Sequence, residues 1–224
     1  LPFSLTDTSE AALHHTLVSQ VGYAVPFGRY TLRVDAVDSL DRSRRDSIVL
    51  PLVLEPYAVD RPSASDIEIC SNIKSSQEKG SPFFKNSLEV VPNPSLVFGV
   101  MNHPVVFSYL ELYNLATDVT YTVSTTLVNA SLRTVKQSTR QKMYGVPNAV
   151  EAGMVNVTSL ESGKYQLQVS VSTPAGDRVA YAERSLFVYN PHIKPTTVSG
   201  VELKASELAG LTSEELSAEF RQAR

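Results

Sequence analysis

The strongest constraint on the fold is a pattern that occurs twice, at residues 25–34 (VPFGRYTLRV) and 160–169 (LESGKYQLQV). Each copy contains a glycine, a basic residue, a tyrosine, and then apolar residues at every second position. Alternation with a period of two places the apolar side chains on one face of a strand. Each copy therefore predicts an antiparallel strand that packs against the rest of the protein on one side only.

The similarity between the copies continues beyond the first strand. With Gly28 placed on Gly163, the alignment runs without a gap to Leu52 on Phe187 and Pro56 on Pro191. It passes through polar, turn-forming residues at 39–43 in the first copy and 173–177 in the second. Each copy is therefore predicted to be a β-hairpin.

The start of each hairpin resembles the tyrosine corner of immunoglobulin-like and fibronectin-like sandwiches. In that corner the tyrosine hydroxyl donates a hydrogen bond to the backbone a few residues upstream. This resemblance assigns structural roles to Gly28, Tyr30, Gly163 and Tyr165, and no catalytic role. It predicts a mainly β chain of tandem immunoglobulin/fibronectin-like antiparallel β-sandwiches.

The domain boundaries follow from the room available for strands. Residues 60–191 contain the second hairpin together with apolar or alternating stretches, roughly seven to nine strands in all, and are predicted to form a complete sandwich. Few residues precede the first hairpin, so residues 1–59 are predicted to be the C-terminal part of a first, incomplete sandwich. We expect the missing strands to come from elsewhere in a longer protein.

The C-terminal residues have a different pattern. Residues 192–210 are predicted to be an extended linker, and residues 211–224 the start of a short α-helix that leads to a further domain. Thr212 and Glu215 have the spacing of a capping box. Leu216 and Phe220 then lie on one apolar face, where they are candidates for contact with a partner.

Four segments resemble the region that precedes the GWxTD domain in the GWxTD domain-containing proteins of Bacteroidota and their relatives. They are residues 84–94 (FKNSLEVVPNP), 109–115 (YLELYNL), 160–169 and 211–216 (LTSEEL). The chain contains no tryptophan, so the Gly-Trp-x-Thr-Asp motif itself is absent. The resemblance implies an exported bacterial protein of the periplasm or cell surface, with β-sandwich modules before a helical region.

Composition and charge argue against several classes of protein. The net charge is −3, and no stripe of basic residues is present that would neutralise nucleic-acid phosphates. The single cysteine, Cys70, excludes an intrachain disulfide and a cysteine-based zinc site. No apolar run is long enough to span a membrane as a helix.

The sequence contains no recognisable catalytic motif. His14 and His15 are adjacent, so in a strand they would point to opposite faces and could not bind one metal ion together. Asp66 and Glu68 share one face of a predicted strand, where a solvated surface is favoured over acid–base chemistry. We therefore expect no catalytic residue, no cofactor, no metal and no small-molecule ligand.

One apolar tract leaves two interpretations open. Pro92 and Pro94 precede Leu96, Val97 and Phe98, and the prolines favour an extended backbone. The tract is either a crossover that fills the edge of the sandwich or a contact surface for a partner domain.

These observations favour a non-enzymatic structural or protein-interaction module whose partners are other proteins or other domains of the same protein. One alternative is a carbohydrate-binding accessory module, which would need an exposed row of aromatic residues. Tyr109, Tyr113 and Tyr121 are the candidates, although their apolar neighbours favour core packing. A third possibility is the non-catalytic part of an enzyme whose active domain is absent.

Overall fold

The computed structural model describes residues 18–194, and within this range the chain is all β, with no helix. The predicted linker and helix beyond residue 194, including Leu216 and Phe220, lie outside the described residues. The prediction of a mainly β protein is confirmed. The strands are β1 Gly28–Val37, β2 Arg45–Leu54, β3 Ser63–Ala64, β4 Glu68–Ser75, β5 Phe84–Lys85, β6 Leu88–Pro92, β7 Val97–Phe98, β8 Val105–Tyr113, β9 Thr120–Asn129, β10 Thr134–Met143, β11 Ala149–Asn156, β12 Gly163–Ser172 and β13 Arg178–Val188.

The strands from β3 onward form two sheets that enclose a common core. One sheet has the strand order β10-β9-β12-β13-β7, and the other has the order β11-β8-β4-β6-β5, with β3 also paired to β8. All of these neighbours are antiparallel except β13 and β7, which are parallel. Strands β1 and β2 form a separate two-stranded sheet.

The core between the two sheets is built from the alternating positions of the long strands. In β12 the side chains of Leu167, Val169 and Val171 are at most 3% exposed, while the residues between them are partly exposed. Fully burying each aliphatic side chain of this size contributes about 1.5–3 kcal/mol. The largest side chains of this core that are fully buried are Phe98, Leu110, Leu112, Leu127, Leu167 and Leu186.

The apolar tract at residues 96–98 lies at the edge of the sandwich as strand β7. The Phe187 backbone N–H donates to the Leu96 carbonyl oxygen (2.9 Å), and the Tyr189 N–H donates to the Phe98 carbonyl oxygen (2.7 Å). Phe98 is 1% exposed, and Leu96 and Val97 are half-buried. The tract therefore pairs with β13 at the edge of the sandwich, and the Phe98 side chain lies in the core.

A buried carboxylate joins the sheets where edge strands β10 and β11 meet. Glu151 of β11 is 1% exposed and accepts hydrogen bonds from Lys142 Nζ (2.5 Å) and the Tyr144 hydroxyl (2.5 Å). Arg140 also donates to this carboxylate from Nη2. Burial raises the pKa of Glu151, but these donors outweigh burial and hold the pKa below its usual value. The charged form is therefore the one that the fold stabilises.

We expect Glu151→Gln to lower the free energy of unfolding by about 2 kcal/mol at pH 7, because the charge-assisted hydrogen bonds are lost. The folded-state pKa of Glu151 is depressed, so its contribution is present above the unfolded pKa of about 4.3 and is lost as pH falls through the folded pKa. Urea unfolding between pH 7 and pH 2 should show the difference between wild type and variant shrinking below about pH 4. Glu78→Gln, at an exposed site, is the control. A constant difference at all pH values would contradict the prediction.

A close backbone approach at the end of β7 requires glycine. A β-carbon on Gly99 would lie 2.0 Å from the Tyr189 carbonyl oxygen, whereas one on Gly80 would have no atom within 4 Å. Gly99→Ala should therefore lower the free energy of unfolding by about 3 kcal/mol, and Gly80→Ala should change it by less than about 0.5 kcal/mol. Thermal or urea unfolding followed by circular dichroism measures both, and equal effects would refute this assignment.

Candidate functional site

The most unusual surface is one face of the β1–β2 hairpin. Residues opposite each other in an antiparallel pair share a face, and the register pairs Tyr30 with Leu52, Leu32 with Leu50, and Val34 with Ile48. One face of the ribbon is therefore almost entirely apolar. We call it the hairpin face, and its members are Tyr30, Leu32, Val34, Ala36, Ile48, Leu50, Leu52 and Leu54.

The hairpin face is largely open to solvent. Tyr30, Leu32 and Val34 are 36%, 40% and 51% exposed, and Leu52 is 39% exposed. Soluble proteins rarely expose large contiguous apolar patches unless the patch binds something. The hairpin face is therefore the leading candidate for a functional surface.

In the second hairpin, β12–β13, the apolar face with the same sequence pattern is covered by other strands. Tyr165 is 6% exposed and Leu167 is fully buried, because the opposite sheet covers this face of β12 and β13. In addition, β9 pairs with the free side of β12 from Tyr165↔Asn129 to Ser172↔Thr122. Within the described residues, β1 has no second partner strand. The two hairpins thus share a sequence pattern and differ in what surrounds them.

Both hairpins begin with the same local geometry. The Tyr30 hydroxyl donates to the Pro26 carbonyl oxygen (2.7 Å), and the Tyr165 hydroxyl donates to the Glu161 carbonyl oxygen (2.8 Å). The φ angles of Gly28 and Gly163 are 157° and 159°. Burial, and then the charge of Glu161, raises the pKa of Tyr165 to about 12, so its hydroxyl stays protonated and remains a donor.

The register corrects the gapless alignment of the second strands. Tyr30 lies opposite Leu52, and Tyr165 lies opposite Leu186. Leu52 is therefore equivalent to Leu186, one residue before Phe187. The loop of the second hairpin, residues 173–177, is two residues shorter than the loop of the first, residues 38–44. The register shift between Val171 and Ser172 restores one of these two residues, so the strands end up one residue out of line with the gapless alignment.

The segment that follows the hairpin is held against the sandwich. The Tyr57 and Tyr113 rings pack with centroids 4.8 Å apart, and Asn114 Nδ2 donates to the Ala58 carbonyl oxygen (2.6 Å). Tyr113 is therefore partly covered by Tyr57, while Tyr109 and Tyr121 are only 4% and 2% exposed. These three tyrosines do not form the exposed aromatic row that carbohydrate binding would need.

A cleft of about 960 Å³ lies between the hairpin and the sandwich. Ile48 and Leu50 of the hairpin face line one side. The sandwich supplies the remaining lining residues, which are Asp66, Ile67, Glu68, Ile69, Pro92, Asn93, Pro94, Leu96, Gln166, Glu183, Arg184 and Ser185. We call this space the hairpin cleft. It combines apolar walls with several charged groups.

Two side chains that could take part in acid–base or thiol chemistry, Glu68 and Cys70, are paired or buried in the structure. Lys85 Nζ lies 2.5 Å from a Glu68 carboxylate oxygen, so the Glu68 charge is paired. Cys70 is fully buried, and burial together with the Glu68 charge raises the pKa of its thiol to about 12. His14 and His15 lie outside the described residues. Across residues 18–194, no cluster of three or more histidine, cysteine, aspartate or glutamate side chains is placed to hold a metal ion.

Nowhere in residues 18–194 is there a helix long and apolar enough to cross a membrane.

Comparisons with known proteins do not place the chain in a family. No protein-family model matches the sequence, and no curated protein matches it. Several solved structures align with part of this chain. A Bifidobacterium dentium β-glucuronidase complexed with coumarin-3-O-glucuronide aligns with a TM-score of 0.32 and 7% identity, over 58% of this chain and 18% of that one. A Parabacteroides merdae β-glucuronidase aligns with a TM-score of 0.30 and 10% identity, over 62% and 15% of the two chains.

An endonuclease/exonuclease/phosphatase from Beutenbergia cavernae aligns with a TM-score of 0.24 and 14% identity, over 71% of this chain and 35% of that one. This chain spans less than two thirds of the length of each of these proteins. At such TM-scores the alignments carry no argument about activity.

The two tyrosine corners provide a matched pair of variants. Tyr165→Phe should lower the free energy of unfolding of the sandwich by about 1 kcal/mol, because a partly buried hydrogen bond is lost. Tyr30→Phe should have less than half that effect, because water can replace the hydroxyl at the exposed Pro26 carbonyl. Urea unfolding followed by circular dichroism measures both variants. Equal losses would show that burial does not determine the strength of the corner.

Proposed function

We propose that this chain is a non-enzymatic protein-interaction module, and that the hairpin face binds another protein or another domain of the same protein. The observation that carries this proposal is the contrast between the two hairpins. The apolar face of β12–β13 is buried by a second sheet, while the equivalent face of β1–β2 is exposed.

The energetics of a two-stranded sheet support the proposal. A hairpin with no further strands is at best marginally stable in water, because its hydrogen bonds alone do not offset the entropy of ordering the chain. Burying apolar surface contributes about 25 cal/mol per Å², so a partner that covers the hairpin face would stabilise both the hairpin and the complex. The surface is therefore suited to a partner that supplies a second apolar layer.

We also propose that the sandwich belongs to the immunoglobulin-like class and that the β1–β2 hairpin is the end of a second such domain. The order β10-β9-β12-β13-β7, with β7 parallel to β13, matches the arrangement of strands C′, C, F, G and A′ in that class. The Tyr165 corner at the start of β12 stands where strand F begins in that arrangement. The repeat of this corner at Tyr30 supports a tandem.

The proposed location of the module rests on the sequence resemblance. Similarity to the region preceding the GWxTD domain supports a role in the periplasm or at the surface of a bacterial cell. An exposed apolar surface such as the hairpin face, which a neighbouring domain or protein could cover, would suit an envelope protein assembled from β-sandwich modules.

Site-specific photo-crosslinking tests the proposal. A photoreactive amino acid at Leu32 lies on the hairpin face, while one at Val49 lies on the opposite face of the same hairpin and is more open, at 57% exposed against 40% for Leu32. In cells that express the full-length protein, we expect a discrete crosslinked adduct from Leu32 and none above background from Val49. Mass spectrometry then identifies the adduct.

Binding of the identified partner to the purified chain provides the second measurement. Val34→Lys should weaken binding at least about tenfold, because a charge would be desolvated in an apolar interface. Val49→Lys should leave binding within about twofold, because its side chain points away from the hairpin face. Equal crosslinking from both positions, or equal loss with both variants, would overturn the proposal.

A further inference from the structure

The outer edge of strand β13 is only partly covered by the chain. Strand β7 pairs with Phe187 and Val188 alone. The Phe187 N–H points to β7, where it donates to the Leu96 carbonyl oxygen. Successive residues of a strand direct their backbone groups to alternate sides, and the pairing of β13 with β12 is regular in this stretch. The N–H groups of Glu183 and Ser185 therefore point to the same side as that of Phe187, where β7 is the only described strand hydrogen-bonded to β13 and does not extend to these two residues.

The residues before β7 cannot extend it along this edge. Pro92 and Pro94 have no N–H to donate. Leu96 has a φ of 55°, in the left-handed region, and its N–H donates back to the Asn93 carbonyl oxygen (3.1 Å) in a turn. The chain therefore turns away from β13 before it reaches Ser185, and the edge is left open.

The open edge faces a space large enough for a peptide strand. Glu183 and Ser185 both line the hairpin cleft, whose volume is about 960 Å³. Ile48 and Leu50 of the hairpin face line its other side. A strand added at this edge would gain backbone hydrogen bonds from β13 and would cover part of the hairpin face.

The charges of the hairpin cleft indicate the chemistry of such a strand. Asp66, Glu68, Glu183 and Arg184 are its charged residues. Glu68 is already paired with Lys85, and none of the other three forms an ion pair with a residue in the range 18–194. Two carboxylates and one guanidinium therefore remain, a surplus of negative charge that favours a basic ligand.

We propose that the hairpin cleft binds an extended protein segment of alternating apolar and basic residues, which adds to β13 as a strand at Glu183 and Ser185. Backbone hydrogen bonds to β13 supply affinity, and side chains that meet Ile48, Leu50 and the two carboxylates supply selectivity. This inference rests on the proposed function, for which it names one kind of partner segment.

The probe for a direct test is a fluorescein-labelled eight-residue peptide of alternating lysine and valine. Fluorescence polarisation with the full chain measures its binding, and hydrogen exchange followed by NMR measures protection of the Glu183 and Ser185 amides. We expect saturable binding, and exchange at both amides slowed at least about tenfold. A peptide of the same composition with all lysines before all valines should bind at least about tenfold more weakly, because it lacks alternation.

Two pairs of variants separate strand addition from charge attraction. Ser185→Pro removes the edge N–H at a position where an edge strand tolerates proline, whereas Ser185→Ala keeps the N–H. We expect Ser185→Pro to abolish binding and Ser185→Ala to leave it within about twofold. Glu183→Lys should weaken binding about tenfold, while Asp118→Lys, at an exposed site away from the cleft, should not.

The outcomes distinguish this inference from the proposed function. Binding without protection of the Glu183 and Ser185 amides, or equal binding to both serine variants, would overturn strand addition. Absence of peptide binding would also overturn it. In each case a crosslink to a partner from Leu32 but not from Val49 would still support the hairpin face as a binding surface. If that crosslink were also absent, the proposal that the hairpin face binds a protein would be overturned as well.

Discussion

Backbone hydrogen bonds join strands into a sheet whatever the side chains are, but the apolar face of a sheet leaves water only when a second layer covers it. The structure depends on this constraint at two places with opposite outcomes. At β12–β13 the opposite sheet provides the cover, so Leu167 and Leu186 are fully buried. At β1–β2 no described element provides it, so Leu32 and Val34 remain exposed. The functional proposal follows from that difference between two hairpins of one chain.

The edge strands of the sandwich differ in how well they are protected from pairing with another chain, and this difference determines where a partner strand could add. Edge strand β10 directs Arg140 and Lys142 toward the buried Glu151, an arrangement of inward-pointing charges that discourages pairing with another chain. Strands β5 and β7 are each two residues long. Because β7 is so short, part of β13 is left open beside the hairpin cleft. The open edge and the uncovered apolar face therefore lie next to each other.

Strongly shifted pKa values often mark catalytic sites, yet in this protein they accompany hydrogen bonds that hold the sheets together. Burial and a hydrogen bond to Glu151 raise the pKa of Tyr144, which closes the junction between β10 and β11. Burial and hydrogen bonding to Glu111 raise the pKa values of Tyr109 and Tyr113, and the Tyr113 ring packs against Tyr57 in the segment after the hairpin. These titratable groups therefore have structural partners.

The sequence by itself determined the local features, because these depend on residues that are neighbours in the chain. Alternation and turn chemistry predict the β class, the hairpins after Gly28 and Gly163, and the backbone contacts of Tyr30 and Tyr165. Only the tertiary structure decided which apolar face is covered, since burial depends on strands distant in the chain. It likewise decided that Phe98 is a core residue, that Leu52 matches Leu186, and that Glu151 is buried among three donors. The hairpin cleft depends on contacts of the same kind, because it forms where β2 approaches β4, β6 and β13, and no local pattern brings those strands together.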